Sequence, residues 1–448
     1  MINLKVKRGL FIAISFVSVA SIIDASVVGV SYAGVVNNTV IKQTSKVTRS
    51  KVILQRWLNK NVNNHPLVLA AKSAVDTAGY QLVAADKALY NPELEFDTET
   101  AETDSTSIGL SQTIDWGDTR GARTAVAGSR KTAARYALES SRREVAIAFL
   151  GGLSGYQMTM ALRELAEQTN TLMQRSAKLA RQRFDAGDLN KVEVDLANLT
   201  FAQARFKRAD AVSQHARAVQ NLISLSGSVN TDWSKLASLL ADLDMPDPVL
   251  NQNTKSQEIE KSVRRLPRMR EILSRVKAAQ ANVKVQAGLG TVNPTITIRA
   301  GKEEQDTLLG LNLSIPLQVR NNFRAEISAA NAEMIQTERE SVNDYRKLKS
   351  RLEVAIISYQ LSREAWQAWE KSGANTLNEQ IKLLERLWKA GELNTTDYLI
   401  QLNQALQTKA SAIEQRGRML TDWSEWLIAS GKIGHWLNNQ QATNTRDK

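Results

Sequence analysis

The chain has 448 residues, room for two or three domains, with 43% hydrophobic residues, 7 prolines, 22 glycines and no cysteine. So little proline and glycine argues against disorder and against an all-β protein, and the missing cysteines exclude disulfides, thiolate metal sites and a lipidated N-terminal Cys. The net charge is +12, but no zinc-finger spacing or compact basic helix with interleaved aromatics accompanies it, so no nucleic-acid partner is expected.

Lys5, Lys7 and Arg8 precede an apolar run, Leu10 to Ile23, that is short for a bilayer span, and Asp24 interrupts the residues after it. Ser31-Tyr32-Ala33 is a small-x-small cleavage site before Gly34, and Ser18-Val19-Ala20 is a second candidate. Residues 1–33 therefore read as an export signal, with a membrane anchor as the rival. No later segment reads as apolar enough for a transmembrane helix. An exported protein that still enters a membrane would then need a β-barrel.

Residues 34–64 read as a leader, flexible over 34–50, and a short helix. His65-Pro66 opens a helix to about Leu89, which Asn91-Pro92 breaks. Glu93 to Thr100 alternates strictly, with Leu94, Phe96 and Thr98 on one face and Glu93, Glu95, Asp97 and Glu99 on the other. After a turn near Asp104, Ile108, Leu110 and Ile114 alternate with Ser107, Gly109, Ser111 and Thr113. This is a period-two hairpin over about 91–115.

A second hairpin comes after Asn293-Pro294, over about 293–316. Ile296, Ile298 and Ala300 alternate with Thr295, Thr297 and Arg299; Leu309, Leu311, Leu313 and Ile315 alternate with Gly310, Asn312 and Ser314. Strands of this length and pattern suit an outer-membrane barrel wall, with a small soluble sheet as the alternative. Four strands cannot close a barrel, because both edges stay unpaired.

Each hairpin precedes a long helical stretch. Gly121 to Phe184 contains no proline and would reach roughly 90–95 Å unbroken; Arg320 to Lys389 is its counterpart. Return helices run from about Leu189 to Ser226 and Leu393 to Ser430, giving helical hairpins over about 121–226 and 320–430. Val192, Leu199 and Phe206 recur at heptad spacing, as do Leu165, Leu172 and Leu179, which predicts coiled-coil-like packing.

The two hairpin tips read RFDAGDLN and LWKAGELN. Gly187 and Gly391 lie 204 residues apart, and so do Gly227 and Gly431. The chain is thus a tandem duplication, with repeats at 65–227 and 266–431, a connecting segment at 228–265 that holds Pro246 and Pro248, and a polar tail at 432–448. In each tip the glycine ends one helix and Asn190 or Asn394 caps the next.

The order helix, Asn-Pro strand, Leu-Ser-Gln strand, long helix, Ala-Gly-(Asp/Glu)-Leu tip and return helix, all duplicated, resembles the TolC-like outer membrane factor (outer membrane efflux protein) family over nearly the whole mature chain. Asn91-Pro92-Glu93-Leu94-Glu95 and Gly109-Leu110-Ser111-Gln112-Thr113-Ile114, followed by Gly117, Arg120, Gly121 and Arg123, are most similar to its heavy-metal (CzcC-type) branch. That branch usually carries Gly-Gly before its Lys/Arg-Arg; Gly117-Asp118-Thr119-Arg120 departs from it.

The resemblance implies a mainly α protein with a membrane β-barrel part. A homotrimer would form a twelve-stranded β-barrel continued by a long α-helical periplasmic tunnel, in the outer membrane of a Gram-negative cell. It implies a passive exit duct of a tripartite efflux system for small solutes, metal cations or drugs, with a periplasmic adaptor and an inner-membrane transporter, expected to be of the RND type. It implies no catalytic centre, cofactor or metal. His65, His215 and His435 are too scattered for a metal site and read as surface or packing residues. A type I protein secretion duct shares the fold and stays open as the alternative; a periplasmic adaptor and a soluble coiled-coil scaffold are weaker rivals.

In that family, aspartates near the start of the last long helix narrow the periplasmic entrance. The matching positions are Asp397 and Ile400, with Glu193 at the pseudo-equivalent place in the first repeat. Ile400 lacks the acid, so a double acidic ring is incomplete. The tip residues Gly187, Asp188, Leu189, Gly391, Glu392 and Leu393 are expected to meet the adaptor. Glu93, Glu95, Asp97, Glu99 and Arg299 are expected to face the lumen, and the apolar strand faces to meet lipid.

Overall fold

A computed structural model describes residues 33–100, 104–243, 245–248 and 255–438. The expected export signal lies outside these residues save for Ala33, as does the chain beyond Asn438. The chain divides into two units, Met1–Lys46 and Val47–Lys448. The backbone of 33–46 in the first is helical. Helix α1 is Ala33–Asn64, so the leader expected to be flexible over 34–50 is helical instead.

In the second unit, helix α2 (Pro66–Ala85) starts with proline in its first turn, where the missing N–H would be unpaired anyway. Leu67 N–H donates to Nδ1 of the capping His65 at 3.2 Å. Strands β1 (Glu93–Thr100) and β2 (Asp104–Thr113) come next, then helices α3 (Thr119–Asp185) and α4 (Lys191–Ser226). The connecting segment holds α5 (Trp233–Ala241) and α6 (Lys255–Arg265). Helix α7 (Pro267–Leu289) leads into β3 (Thr295–Glu303) and β4 (Asp306–Ser314), and then α8 (Arg324–Ala368), α9 (Ala374–Ala390), α10 (Thr395–Ala429) and α11 (Ile433–Asn438). The second half thus repeats the first.

Helix α3, at 67 residues, is about 100 Å long. It starts at Asp118, which holds φ 45° and accepts from Gly121 N–H at 3.2 Å. The left-handed region tolerates Asp better than most side chains, so Asp118 can hold this backbone conformation at the start of the helix. Contrary to expectation, α3 does contain an 18-residue window apolar enough to cross a membrane by composition. Half of that window is buried. Val145, Ala146, Phe149, Leu150 and Leu153 of this helix belong to the core they share with Leu222 of α4, Tyr359 of α8 and Trp423 of α10.

The counterpart of α3 is not one stretch from Arg320 to Lys389. A π-helical turn, Trp369–Gly373, separates α8 from α9. The Trp369 ring lies over Gly373, where any Cβ would collide with it. Trp233, Leu236 and Leu240 of α5 join the main core, as do Ile433 and Leu437 of α11. The polar tail expected from residue 432 is therefore packed as far as Leu437, because these apolar side chains have a core to enter.

The sheet has the order β1-β2-β3-β4 and is antiparallel throughout. Asn293 ties its base: Trp116 N–H donates to Asn293 Oδ1 at 3.0 Å and Asn293 Nδ2 donates to Tyr90 Oη at 3.2 Å.

Candidate functional site: a two-faced sheet and two capped tips

The register aligns side chains of one kind across all four strands. Leu94, Leu110, Ile298 and Leu311 form one row, and Phe96, Ile108, Ala300 and Leu309 the next. On the opposite face the rows are Glu93, Ser111, Thr297 and Asn312, then Glu95, Gly109, Arg299 and Gly310. The sorting is the inverse of a soluble sheet. Leu94 and Phe96 are 72% and 73% exposed, whereas Ser111 and Thr297 are 3% and 4% exposed. The polar side chains of the central strands β2 and β3 are the shielded ones, those of the edge strands β1 and β4 are mostly exposed, and the large residues of the apolar face are exposed as well.

Arg299 sits among the four acids of β1. Its Nη1 is 3.8 Å from Asp97 Oδ2, and both side chains remain partly exposed. Glycines flank it on each neighbouring strand. A Cβ at Gly310 would lie 3.1 Å from Arg299 Cγ, and one at Gly109 would lie 3.5 Å from its Cβ. The missing side chains give the guanidinium room to extend across the polar face. Glu93, Glu95, Asp97, Glu99 and Arg299 therefore share one face, as their alternation predicts. Sequence periodicity did not show the two glycines beside the arginine, because that relation needs the register.

The two tips have the same construction. Gly187 and Gly391 hold φ 86° and 79°. Asp188 N–H donates to Arg183 O at 2.8 Å and Glu392 N–H to Leu387 O at 3.0 Å, closing each helix with the six-residue turn that a left-handed glycine permits. The next helix then opens on an asparagine. Glu193 N–H donates to Asn190 Oδ1 at 3.0 Å, and Asn190 N–H donates back to Glu193 Oε2 at 3.1 Å. In the second tip Asp397 N–H donates to Asn394 Oδ1 at 2.8 Å, and Asn394 Nδ2 donates to Asp397 Oδ2 at 2.7 Å. Both acids named as entrance candidates thus belong to capping arrangements. Ile400, one turn on, is 56% exposed.

Gly187, Asp188, Gly391 and Glu392 are exposed, whereas Leu189 and Leu393 are half-buried against a second core cluster. Sequence reasoning missed what joins the tips. The Trp388 ring stacks on Tyr398 at 4.3 Å and 3°, its Nε1 donates to Thr395 Oγ1 at 3.2 Å, and Arg183 of the other tip lies over it at 5.4 Å. The only sequence signal was an aromatic residue, Phe184 or Trp388, just before each Ala-Gly pair.

The heptad leucines divide in two. Leu165 is buried and Leu172 and Leu179 pack on the second cluster. Val192, Leu199 and Phe206 are 76%, 69% and 75% exposed, so their seam has no partner among the described residues. Among the described residues no group of His, Asp and Glu could hold a metal. His65 caps α2, His215 is buried against Tyr156, and His435 is exposed on α11.

Residues 57–228 match the family described as outer membrane efflux protein. No curated protein matches the chain. Among solved structures, the Campylobacter jejuni CmeC outer membrane channel is 12% identical, with a TM-score of 0.67, over 85% of this chain and 89% of its own. The outer membrane protein VceC from Vibrio cholerae is 13% identical, with a TM-score of 0.66, over 84% and 96%. CusC, whose structures concern folding and transmembrane channel formation, is 14% identical, with a TM-score of 0.66, over 84% and 91%. The resemblance read from the motifs stands, and the fold is that of the TolC-like channels.

Proposed function

We propose that this chain, which shares its fold with outer membrane channels and its first repeat with the outer membrane efflux proteins, is the exit duct of a tripartite efflux system. One observation carries the reading: the four-stranded sheet exposes its large apolar residues, shields the small polar ones of its two central strands, and leaves β1 and β4 as open edges. Lipid on the apolar face and further copies at both edges answer all of this. Three copies would close a twelve-stranded barrel around a wet lumen. The exposed seam of Val192, Leu199 and Phe206, and that of Val354, Ile357 and Leu361 on α8, would then pack between copies in a periplasmic tunnel.

In this reading the exposed tips Gly187-Asp188 and Gly391-Glu392 meet a periplasmic adaptor, which couples the duct to an inner-membrane transporter of the RND type. Glu193, Asp397 and Ile400, close behind the tips, border the entrance. The cargo is a small solute that crosses without chemistry, so the duct needs no cofactor.

The lack of native cysteine makes the test clean. Thr98 lies on one open edge strand and Thr307 on the other, and the shear of a closed barrel sets which residue of β4 in one copy faces Thr98 of the next. Thr98→Cys, paired in turn with single cysteines along β4 and treated in outer membranes with a short bismaleimide, should give covalent dimers and trimers and nothing larger at one register. Monomer alone at every β4 position, with both thiols accessible to a small maleimide, would refute the closed barrel.

A further inference from the structure

Beside the π-helical turn, between α3 and α10, a cavity of about 210 Å³ opens. We propose that it binds a small aromatic carboxylate bearing a ring hydroxyl. The inference concerns a single chain and does not depend on the exit-duct reading.

The walls set the ring. Trp366 and Trp369, from the end of α8 and the start of the turn, line the cavity with Met158 and Leu420. Two indoles and a thioether make an apolar slot suited to a flat aromatic guest. The turn itself is unusual, since single π turns inside α-helices cluster at functional sites. Here it stands directly against the cavity, which Trp369 and Ala374 both line.

The charge sets the sign. Lys409 and Arg416 are the lining residues that carry charge, and no aspartate or glutamate lines the cavity. Among the described residues neither cation has an ion-pair partner, and the Arg416 guanidinium stands 5.4 Å over the Trp366 ring. Two unpaired cations beside an apolar slot are complementary to an anion with an aromatic body. A third polar group points the same way. Gln157, another lining residue, has a buried Oε1 that accepts no hydrogen bond. Buried acceptors are nearly always paired, and a ring hydroxyl would supply the donor.

Equilibrium dialysis of the detergent-extracted full chain tests this with hydroxynaphthoate, naphthoate and naphthylmethylammonium as probes. The hydroxy acid should bind saturably and more tightly than naphthoate, and the ammonium at least tenfold more weakly than either acid. Lys409→Gln, and the pair Lys409→Gln with Arg416→Gln, should weaken both acids about tenfold or more while the helical circular dichroism is unchanged. Lys409→Gln alone decides if the pair misfolds. Equal binding of acid and ammonium, equal binding of the two acids, or acid binding that Lys409→Gln leaves undiminished would overturn the proposal.

Discussion

Arg183 of the first repeat lies with its guanidinium 5.4 Å over the ring of Trp388 in the second, and its Nη2 donates to the Trp388 carbonyl at 3.4 Å. One side chain thus pins the two hairpin tips to each other. An exposed cation–π pair contributes about 0.5–1 kcal/mol and more when desolvated; Trp388 is 3% exposed, so the pair is largely shielded on the ring side. Stacking on Tyr398 adds about 0.5–1.5 kcal/mol. Arg183→Ala should leave the main core intact but loosen the tips. Limited proteolysis checks this: cleavage near residues 184–190 and 388–394 should accelerate severalfold, with little change in the global melting temperature. Unchanged cleavage would show that the tips hold without the pin.

Asp397 completes the cap of α10 with Asn394. In the proposed trimeric duct it would also place three acids around the entrance, and a single alanine cannot separate the two roles. Loss of a helix cap costs about 0.5–2 kcal/mol. Asp397→Asn removes the charge yet keeps an oxygen that can accept from Asn394, so it should retain most of the stability. If the charge narrows the passage to cations, both Asp397→Asn and Asp397→Ala should raise single-channel conductance and weaken block by multivalent cations. A conductance change in the alanine variant alone would assign the effect to fraying of α10.

His215 gives the protein a pH-dependent element of its own. It is 8% exposed between α3 and α4, 3.3 Å from Thr159 Oγ1 and 5.0 Å from the Tyr156 ring. Burial holds its pKa below the ordinary 6.5; Arg163 acts in the same direction and Glu164 opposes. The unfolded chain therefore takes up the proton more readily than the folded one. The stability contributed by neutral His215 is complete above the ordinary histidine value and is lost as pH falls through the folded value. The melting temperature should fall between about pH 7 and about pH 5, and His215→Gln should flatten that part of the profile. An unaltered profile in the variant would assign the acid sensitivity to other groups.

Much of this architecture was legible because it is periodic. Asn91-Pro92 and Asn293-Pro294 break helices by rule, the residues after them alternate with period two, and the tips repeat at one spacing. Each of these signals lies within a few residues of sequence. What escaped depends on distant partners or on backbone detail. The π turn at Trp369–Gly373 has no proline to announce it. The pairing of Arg183 with Trp388 spans the two repeats. The seam at Val192, Leu199 and Phe206 has the spacing of a packed seam and is exposed, because a heptad records that a partner is wanted and not which chain supplies it. At the candidate entrance, the family resemblance pointed to Asp397 and Ile400 and the repeat offset to Glu193, but neither could show that both acids are engaged in caps.

The sheet supports the most quantitative expectation. On its polar face β1 contributes Glu93, Glu95, Asp97 and Glu99, while Arg299 is the cation set among them, 3.8 Å from Asp97. In a closed trimer three such sets would line the lumen, since the opposite face carries Leu94, Phe96, Ile298 and Leu311, and a Lys or Arg at mid-depth on the lipid side costs about 2–4 kcal/mol. The four acids of β1, with Glu303 and Asp306 in the row of Glu99, stand against one arginine and leave an acid excess. Screening over about 8 Å at physiological salt limits its reach in a wide pore, so the cation preference should be modest and should grow at low salt. Two variants move it in opposite directions. Changing Glu93, Glu95 and Glu99 to Gln and Asp97 to Asn should remove most of the preference. Arg299→Gln should increase it, because it removes the cation that offsets Asp97 and its neighbours. Reversal potentials across a salt gradient in planar bilayers measure both. A wild-type channel that favours anions, or two variants that shift together, would place the charge that sets selectivity elsewhere in the tunnel.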